Sequence, residues 1–372
     1  MTKIKGPEIG YIDLLDSALI SDYEKDSEIR KYYPLRPSSA GKCTRELGYE
    51  LEEYVKKLPI TEKREPNVIR LLSVGHSIEY SAINHLKVLR KHFGFNVRYQ
   101  QQTVTIFKLD DGRIIEGSLD LCLVSDKYKC IADIKSTKDA FSRFHSTRID
   151  EQMAKYKEMD SIKALSDKCF YAEDTKAFVA ELKDDFKINN ILQLNSYANS
   201  PFIKERGFDH CSLFYYVKND SKMFEIRFNP CEDLAEEVKQ KYNDVYKTVE
   251  VNKESPDTLK KDFKLGSIRC AFCNYKDKCW NEDALKEYFK KFPDKDWPTK
   301  WDKVKNKREL DKMFKEYEAN LDSIDNNKEI EALICEELNK QKIRKIKLKN
   351  DKIYEVRYLK TPRPHFALRR SK

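Results

Sequence analysis

Apolar residues recur along the chain with two periods, one typical of helices and one typical of strands. Segments 43–58, 67–94 and 234–250 carry apolar positions at helical spacing, so we predict amphipathic helices there. Apolar and polar residues alternate clearly in VRYQQQTVTI after the second of these helices, and the letters DDG mark a hairpin turn. The pattern predicts three or four consecutive antiparallel strands, at about 95–108, 113–124 and 128–135.

The remainder of the chain continues this alternation of helices and strands. Residues 139–200 are helical in composition, 211–228 read as a strand pair, and 281–340 as charged helices. A basic hairpin with a Lys-Asn-Asp turn is predicted over 345–359. Helices, antiparallel strands, a helical stretch and further strands in this order predict an α/β fold, a sandwich with a mixed central sheet flanked by helices.

Composition narrows the class of protein. The chain has 372 residues, of which 40% are hydrophobic and 36% charged, as in a globular protein with a well-solvated surface. No apolar run approaches the length of a membrane span, so no membrane partner is expected. The first residues lack the apolar core of a signal peptide. We therefore predict an intracellular, cytoplasmic protein.

Charge is unevenly distributed. Residues 341–372 hold 12 Lys or Arg and 2 Asp or Glu, a net charge of +10. The whole chain carries +9, so the rest of it sums to −1. A basic end on a near-neutral body favours a polyanion partner such as nucleic acid, although a solubilising lysine-rich end explains the same composition.

Two carboxylates and a lysine follow neighbouring apolar runs in the stretch EGSLDLCLVSDKYKCIADIKST. Asp120 ends the first run, and Asp133 and Lys135 end the second. Residues two apart in a strand share a face, so Asp133 and Lys135 point the same way. Carboxylate oxygens, with the backbone carbonyl of Ile134, are the hard ligands that Mg²⁺ or Mn²⁺ prefers. The pattern predicts metal-dependent phosphodiester hydrolysis, with a surface ion pair between Asp133 and Lys135 as the alternative.

The same motifs resemble the PD-(D/E)XK nuclease superfamily, and its RecB-like branch in particular. Gly117 to Asp120 match the branch's G-x-x-D, and Asp133 to Lys135 match its (D/E)-x-K. Gln193 and Tyr197, in QLNSY, match a later Q-x-x-x-Y, in which the two side chains share one helical face. The resemblance implies catalytic roles for Asp120, Asp133 and Lys135. It also implies that Gln193 and Tyr197 line the site and contact the DNA backbone.

The first motif of that branch, G-x-x-x-H, is altered in this chain. Counting from Gly75, its register ends at Glu79, and the histidine is His76 instead. In other branches of the superfamily a glutamate takes this place, so Glu79 is the first choice and His76 the second for an additional metal ligand. Lys218 matches a basic residue of a later strand in RecB-like phage nucleases and is a further candidate for substrate binding.

Three cysteines cluster late in the chain and require a distant fourth to complete a four-thiolate site. Cys270, Cys273 and Cys279 form C-x2-C-x5-C, and Cys43 is the best candidate for the fourth thiolate. An early cysteine with this late cluster resembles the iron–sulfur staple of AddAB-type nuclease domains and of CRISPR-associated RecB-like exonucleases. The resemblance implies a [4Fe-4S] cluster with a structural role. A zinc site and free thiols are the alternatives.

The resemblance covers 35–280, which we predict to be the nuclease domain, between an N-terminal extension at 1–34 and a charged helical and basic hairpin region at 281–372. It implies a DNA nuclease in recombination, repair or phage replication. A single-strand exonuclease fits best, and its polarity, 5′ to 3′ or the reverse, stays open. The chain's size and lysine content favour a phage or mobile-element origin. The alternatives are a non-catalytic nuclease-fold scaffold in a recombination or CRISPR-adaptation complex and a zinc-bound nucleic-acid-binding protein. The C-terminal region is also a candidate surface for a protein partner.

Overall fold

The computed structural model divides the chain into two compact units, Met1–Leu259 and Lys260–Lys372. It describes residues 32–58, 66–137, 153, 156–182, 187–217, 222–265, 267–271, 273–280, 284, 287, 288, 290, 299–319, 324–359 and 365–370. In this part of the chain no helix is both long enough and apolar enough to cross a membrane. The resemblance predicts that the nuclease domain ends at residue 280. That boundary stays a prediction, because it rests on family motifs, whereas the two units are defined by their compact packing.

The first unit is built on a sheet with helices on both of its faces. Its helices are α1 (Thr44–Lys56), α2 (Pro66–Leu86), α3 (Leu89–Phe93), α4 (Thr175–Leu182), α5 (Lys187–Ala198), α6 (Pro201–Lys204) and α7 (Glu232–Tyr246). Its strands are β1 (Asn96–Arg98), β2 (Gln102–Lys108), β3 (Ile114–Leu119), β4 (Leu121–Val124), β5 (Lys129–Thr137), β6 (Lys163–Ser166), β7 (Cys169–Ala172), β8 (His210–Val217) and β9 (Met223–Phe228).

Seven of these strands form the main sheet in the order β1-β4-β5-β8-β9-β7-β6. The β5–β8 and β7–β9 pairs are parallel and the others are antiparallel, so the mixed central sheet flanked by helices is confirmed. Strand β5 is an interior strand, with β4 on one side and β8 on the other. On one face Ile131 joins a core that includes Leu194 of α5, and on the other Ile134 packs with Ile83 of α2.

Two predicted strands are each interrupted in the structure. The first breaks between β1 and β2, where Tyr99 and Gln101 adopt left-handed φ angles of 50° and 53°. The second breaks at Asp120, because β3 leaves the main sheet and pairs with β2 in a separate two-stranded sheet. The prediction of a single strand over 113–124 was therefore wrong at the residue that carries the first carboxylate.

The helical assignment of 139–200 was also partly wrong. Lys163–Ser166 and Cys169–Ala172 are the antiparallel strands β6 and β7, which extend the main sheet beyond β9. Phe170 and Ala172 are fully buried and alternate with half-buried Cys169 and Tyr171. This alternation extends over too few residues to outweigh the helix-forming composition around it.

The second unit combines two long helices with a four-stranded sheet. Its helices are α8 (Ile268–Ala271), α9 (Lys276–Cys279), α10 (Lys307–Ala319) and α11 (Ile324–Lys340), and its strands are β10 (Thr299–Lys300), β11 (Lys345–Lys347), β12 (Ile353–Leu359) and β13 (His365–Arg370). The strands follow one another in order, with β10 and β11 parallel and the other pairs antiparallel. The predicted basic hairpin is thus confirmed, and so are charged helices over 307–319 and 324–340, whereas 299–300 form a strand. Most of 281–298 lies outside the described residues.

Candidate functional site

The pairing of β4 with β5 brings the two carboxylates together. Leu121 is opposite Ala132 in this antiparallel pair, so the preceding Asp120 meets the following Asp133. The backbone N–H of Ile134 donates a hydrogen bond to Asp120 Oδ2 at 3.0 Å. Asp120 is therefore fixed against β5 by its own side chain, at the point where β3 and β4 diverge.

Lys135 joins the two acids on the same face of β5, as the two-residue spacing predicts. Its ammonium lies 2.7 Å from Asp133 Oδ2, and about a quarter of its side chain is exposed. Burial disfavours its charge, but the carboxylates of Asp133 and Asp120 outweigh that cost and raise the pKa of Lys135. Lys135 is therefore a permanent cation at the edge of the site.

Asp133 is the least satisfied group of this cluster. It is 2% exposed, and within the described part of the chain neither of its carboxylate oxygens accepts a well-aligned hydrogen bond, although Lys135 is close. Burial, the charge of Asp133 and the contact between the two carboxyl groups raise the pKa of Asp120 to about 9. Two acids crowded in this way favour an additional positive charge between them.

These oxygens fit a hard divalent cation. Buried carboxylates that lack donors are the ligands that Mg²⁺ and Mn²⁺ take in proteins. Asp133 supplies such oxygens, and Asp120 supplies a second carboxylate, whose Oδ2 already accepts from the N–H of Ile134. The carbonyl of Ile134 belongs to the residue that follows Asp133. Among the described residues, no three His, Cys, Asp or Glu side chains stand grouped as a metal site. The carboxylate pair is smaller than such a group, and this finding does not bear on whether a cofactor is present.

Helix α2 brings Glu79 close to the pair and leaves His76 in solvent. A Cβ atom added to Gly75 would lie 3.3 Å from Ser136 Oγ, so the helix approaches β5 closely. Glu79 lies near enough to Lys135 to help raise the pKa of that lysine, whereas the His76 side chain is 83% exposed, with Nδ1 3.9 Å from Glu79 Oε2. Which of the two is a metal ligand stays a prediction.

Gln101 belongs to this site and was not foreseen from the sequence. Its side-chain amide donates to Glu79 Oε1 at 2.7 Å, and its backbone N–H donates to the carbonyl of Asp120 at 3.0 Å. It thereby connects α2 with the carboxylate pair. No sequence signal distinguishes it within the run of three glutamines at 100–102.

Tyr197 is a buried packing residue beside the carboxylates. It is 4% exposed, and its hydroxyl donates to the carbonyl of Ser118 at 2.8 Å. Burial, reinforced by the charges of Asp133 and Asp120, raises the pKa of Tyr197, so the hydroxyl keeps its proton. Gln193, one turn earlier and half-buried, hydrogen-bonds to Tyr197. The predicted Q-x-x-x-Y pair thus shares a helical face turned towards the carboxylates.

Gly117 explains how α5 can approach so closely. A Cβ atom at this position would lie 2.6 Å from Tyr197 Oη and 2.8 Å from Pro37 Cγ, closer than atoms can pack. The glycine of the GSLD motif is therefore the place where a helix and a loop meet β3. Arg36, next to that proline, lies near enough to Tyr197 for its charge to act on the pKa of that hydroxyl.

The remaining predicted residues lie elsewhere. Lys218 falls outside the described residues. Cys43 precedes α1 in the first unit, whereas Cys270, Cys273 and Cys279 belong to the second, and all four are half-buried. Cys270 Sγ lies 3.8 Å from the carbonyl of Phe263. A four-thiolate set draws on both units and stays a prediction.

Comparisons with known proteins add little to this picture. No protein-family model and no curated protein matches the chain. Among solved structures it is similar to the crystal structure of SSO0001, at 12% sequence identity, over 72% of this chain and 96% of that one, with a TM-score of 0.34. No functional argument rests on a likeness this weak. The fold and site define a mixed α/β protein in which an aspartate and a lysine of β5 meet a second aspartate at the junction of β3 and β4.

Proposed function

We propose that the protein is a metal-dependent nuclease of the PD-(D/E)XK type that hydrolyses phosphodiester bonds in single-stranded DNA. One observation carries the proposal: Asp133 is buried against Asp120 with no well-aligned donor to its oxygens in the described chain, and a lysine ammonium lies 2.7 Å away. A structural ion pair alone would leave the second carboxylate unexplained, because crowding two acids is costly.

Asp120 and Asp133 would hold the cation, with Glu79 and the Ile134 carbonyl as further candidate ligands. When bound, Mg²⁺ or Mn²⁺ would polarise a phosphoryl oxygen and acidify a water. Asp133 lies on β5 opposite Leu213 of β8, so strand pairing holds the backbone that carries its carboxylate. Such preorganisation keeps the cost of reorganisation at the moment of reaction small.

Lys135 acts in this proposal as a donor and not as a base. Its raised pKa keeps the ammonium protonated, and the exposed part of its side chain faces the solution from which substrate arrives. A protonated amine can donate to a phosphate oxygen and offset the charge that develops there.

A [4Fe-4S] cluster on Cys43, Cys270, Cys273 and Cys279 belongs to the same proposal and rests on the resemblance alone. Four thiolates are the usual ligands of such a cluster. Its role would be structural, because closing so long a loop restricts the unfolded chain. Two alternative hypotheses are outcomes of the test below: a zinc site in place of the cluster, and a non-catalytic scaffold in place of the nuclease.

The test is cleavage of 5′- and 3′-labelled single-stranded DNA with Mn²⁺ by anaerobically purified protein. Removing even the partners of metal ligands typically lowers activity about 10–100-fold, so we expect Asp133→Asn to lose at least about a hundredfold. The control is Asp126→Asn, at an exposed loop position, and we expect it to match the wild type. Visible absorbance and iron, sulfide and zinc contents are recorded first.

The label that survives gives the polarity, and duplex DNA and RNA substrates define the preference. An iron-containing wild type that leaves every substrate intact would overturn the nuclease and favour the scaffold. Colourless protein with stoichiometric zinc would overturn the proposed iron–sulfur cluster and would leave the proposed nuclease activity unaffected.

A further inference from the structure

The sheet of the second unit has two faces of opposite character. Ile346, Tyr354, Val356 and Leu368 are at most 3% exposed and pack with residues of α10 and α11. The residues between them in sequence point the other way, because side chains alternate across a strand. This alternation leaves a second face, opposite the helices, which we call the outer face.

The outer face is basic. Lys345 and Lys347 of β11 and Arg357 of β12 lie on it, and Lys347 and Arg357 are exposed. The register places Lys345 opposite Glu355 and Glu355 opposite Arg369 of β13. Basic positions therefore occur on three neighbouring strands of one small sheet.

Two acids contact these bases. Asp351, in the turn before β12, lies 2.8 Å from Lys347, whose side chain stays 45% exposed, and Glu355 is covered and holds the arginines. Glu355 is 5% exposed, and Arg357 donates to its Oε2 from Nε and Nη2, both at 2.8 Å. The Arg344 guanidinium lies 3.4 Å from Oε1. A buried carboxylate with two arginines keeps the guanidinium groups in place, and more than half of the Arg357 side chain still faces solvent.

We propose that the outer face binds the phosphate backbone of single-stranded DNA as a second contact, separate from the carboxylate pair. Its charge complements a polyanion, and the residues that carry it belong to the segment with a net charge of +10. The choice of DNA as the polyanion rests on the nuclease proposed above, whereas the charge of the face does not. Such a contact depends on the charge of the phosphate backbone and not on the base sequence, and it weakens as the salt concentration rises.

The test measures DNA binding by the full-length protein in EDTA, by fluorescence anisotropy of a mixed-sequence single-stranded oligonucleotide over a series of salt concentrations. The variant is Lys345→Gln/Lys347→Gln/Arg357→Gln. The matched control, Lys307→Gln/Arg308→Gln/Lys315→Gln, removes the same charge from exposed positions of α10, on the helical side of the same unit.

Three lost phosphate contacts should lower the slope of log affinity against log salt by about 2 and weaken binding at least about tenfold at physiological salt. We expect neither change in the control. If the two variants behave alike, whether both match the wild type or both fall equally, the outer face has no special role and the proposal is overturned. A thermal melt of each variant establishes that it is folded.

Arg357→Gln also removes a partner of Glu355, so Lys345→Gln/Lys347→Gln is a second variant that leaves this contact intact. It should show about two thirds of the triple variant's change in salt slope, and a slope equal to the control's would overturn the proposal. In a parallel arm with anionic lipid vesicles, a variant that loses vesicle binding and keeps DNA binding would assign the face to membranes instead.

Cleavage assays separate this proposal from the nuclease. If the wild type does not cleave DNA and only the outer-face variants lose binding, the nuclease fails and the outer face stands. If all variants cleave and bind like the wild type, the outer face fails and the nuclease stands.

Discussion

Asp120 and Asp133 are held in contact by a rigid strand pair, although each would be better solvated apart. The alternation of β5 and the pairing of Leu121 with Ala132 leave no other arrangement for them. Lys135 compensates for the charge of Asp133, which is 2% exposed, while Asp120 is half-buried beside it. At the scale of single residues, the crowded carboxyl groups of the candidate site are therefore a source of instability.

We expect Asp120→Asn to stabilise the metal-free protein. The folded-state pKa of Asp120, about 9, lies above the value of about 3.9 in an unfolded chain. Folding therefore favours the protonated acid, and its contribution to stability is complete below about pH 4 and lost as pH rises towards about 9. An asparagine avoids this loss, and relief of a poorly satisfied buried group is worth roughly 1–3 kcal/mol near neutral pH.

Urea unfolding in EDTA at several pH values measures this effect, with Asp126→Asn as the exposed control. The gain should grow from acid towards neutral pH. A variant less stable than the wild type throughout this range would show that Asp120 stabilises the fold by its hydrogen bond from Ile134 more than it destabilises it by charge.

At the scale of elements, the contact among α5, β3 and the loop at Pro37 positions the site. Tyr197 reaches over Gly117 to the carbonyl of Ser118, so the helix is fixed two residues before Asp120. In the sequence, Gly117 and Tyr197 belong to two separate motifs and lie 80 residues apart. The structure shows that they are partners in one close approach.

Gly117→Ala should damage both stability and cleavage. The added Cβ would overlap Tyr197 Oη and Pro37 Cγ, and overpacking of this kind costs about 1–3 kcal/mol. We also expect slower cleavage, because Asp120 follows three residues later. The control is Glu116→Ala, on the same strand with an exposed side chain, and urea unfolding with cleavage rates compares them. Equal stability of the two variants would show that the helix can withdraw without consequence.

The sequence predicted those helices and strands in which the spacing of apolar residues matches the spacing of the buried side chains. Helices α1, α2 and α7, the β8–β9 pair and the shared face of Asp133 and Lys135 belong to this group. The break at Asp120 was hidden because β3 and β4 are separated by a single residue in the sequence, and only the pairing of β3 with β2 separates them in the structure. Gln101 was hidden for a similar reason, since its contacts bridge elements far apart in sequence.

At the scale of the whole molecule, the chain forms two compact units, and its positive charge is concentrated in one segment. Each unit has its own apolar core, with Leu194 in one of the first unit's clusters and Leu338 in that of the second. The segment with a net charge of +10 lies within the second unit. Packing and charge thus assign the carboxylate pair and the basic outer face to different units.

A cavity in one core should loosen that unit first. Leu338 and Leu194 are at most 1% exposed, and replacing a buried leucine with alanine costs about 2–5 kcal/mol. In hydrogen exchange followed by mass spectrometry, Leu338→Ala should accelerate exchange in peptides from α11 and β12. Leu194→Ala should do so in peptides from α5 and β8, which makes it the reciprocal control. Equal acceleration along the chain in both variants would show that the units unfold together.

The separation of β3 from β4 has a mechanical consequence. Asp133 lies within β5 opposite Leu213 of β8, whereas Asp120 is the joint between two sheets, and its carbonyl is held from the turn at Gln101. A force on the β2–β3 ribbon would therefore act directly on the backbone of Asp120 and would reach β5 through the hydrogen bond from Ile134. The ribbon would then act as a lever arm, so that bending it should change the separation of the two carboxyl groups.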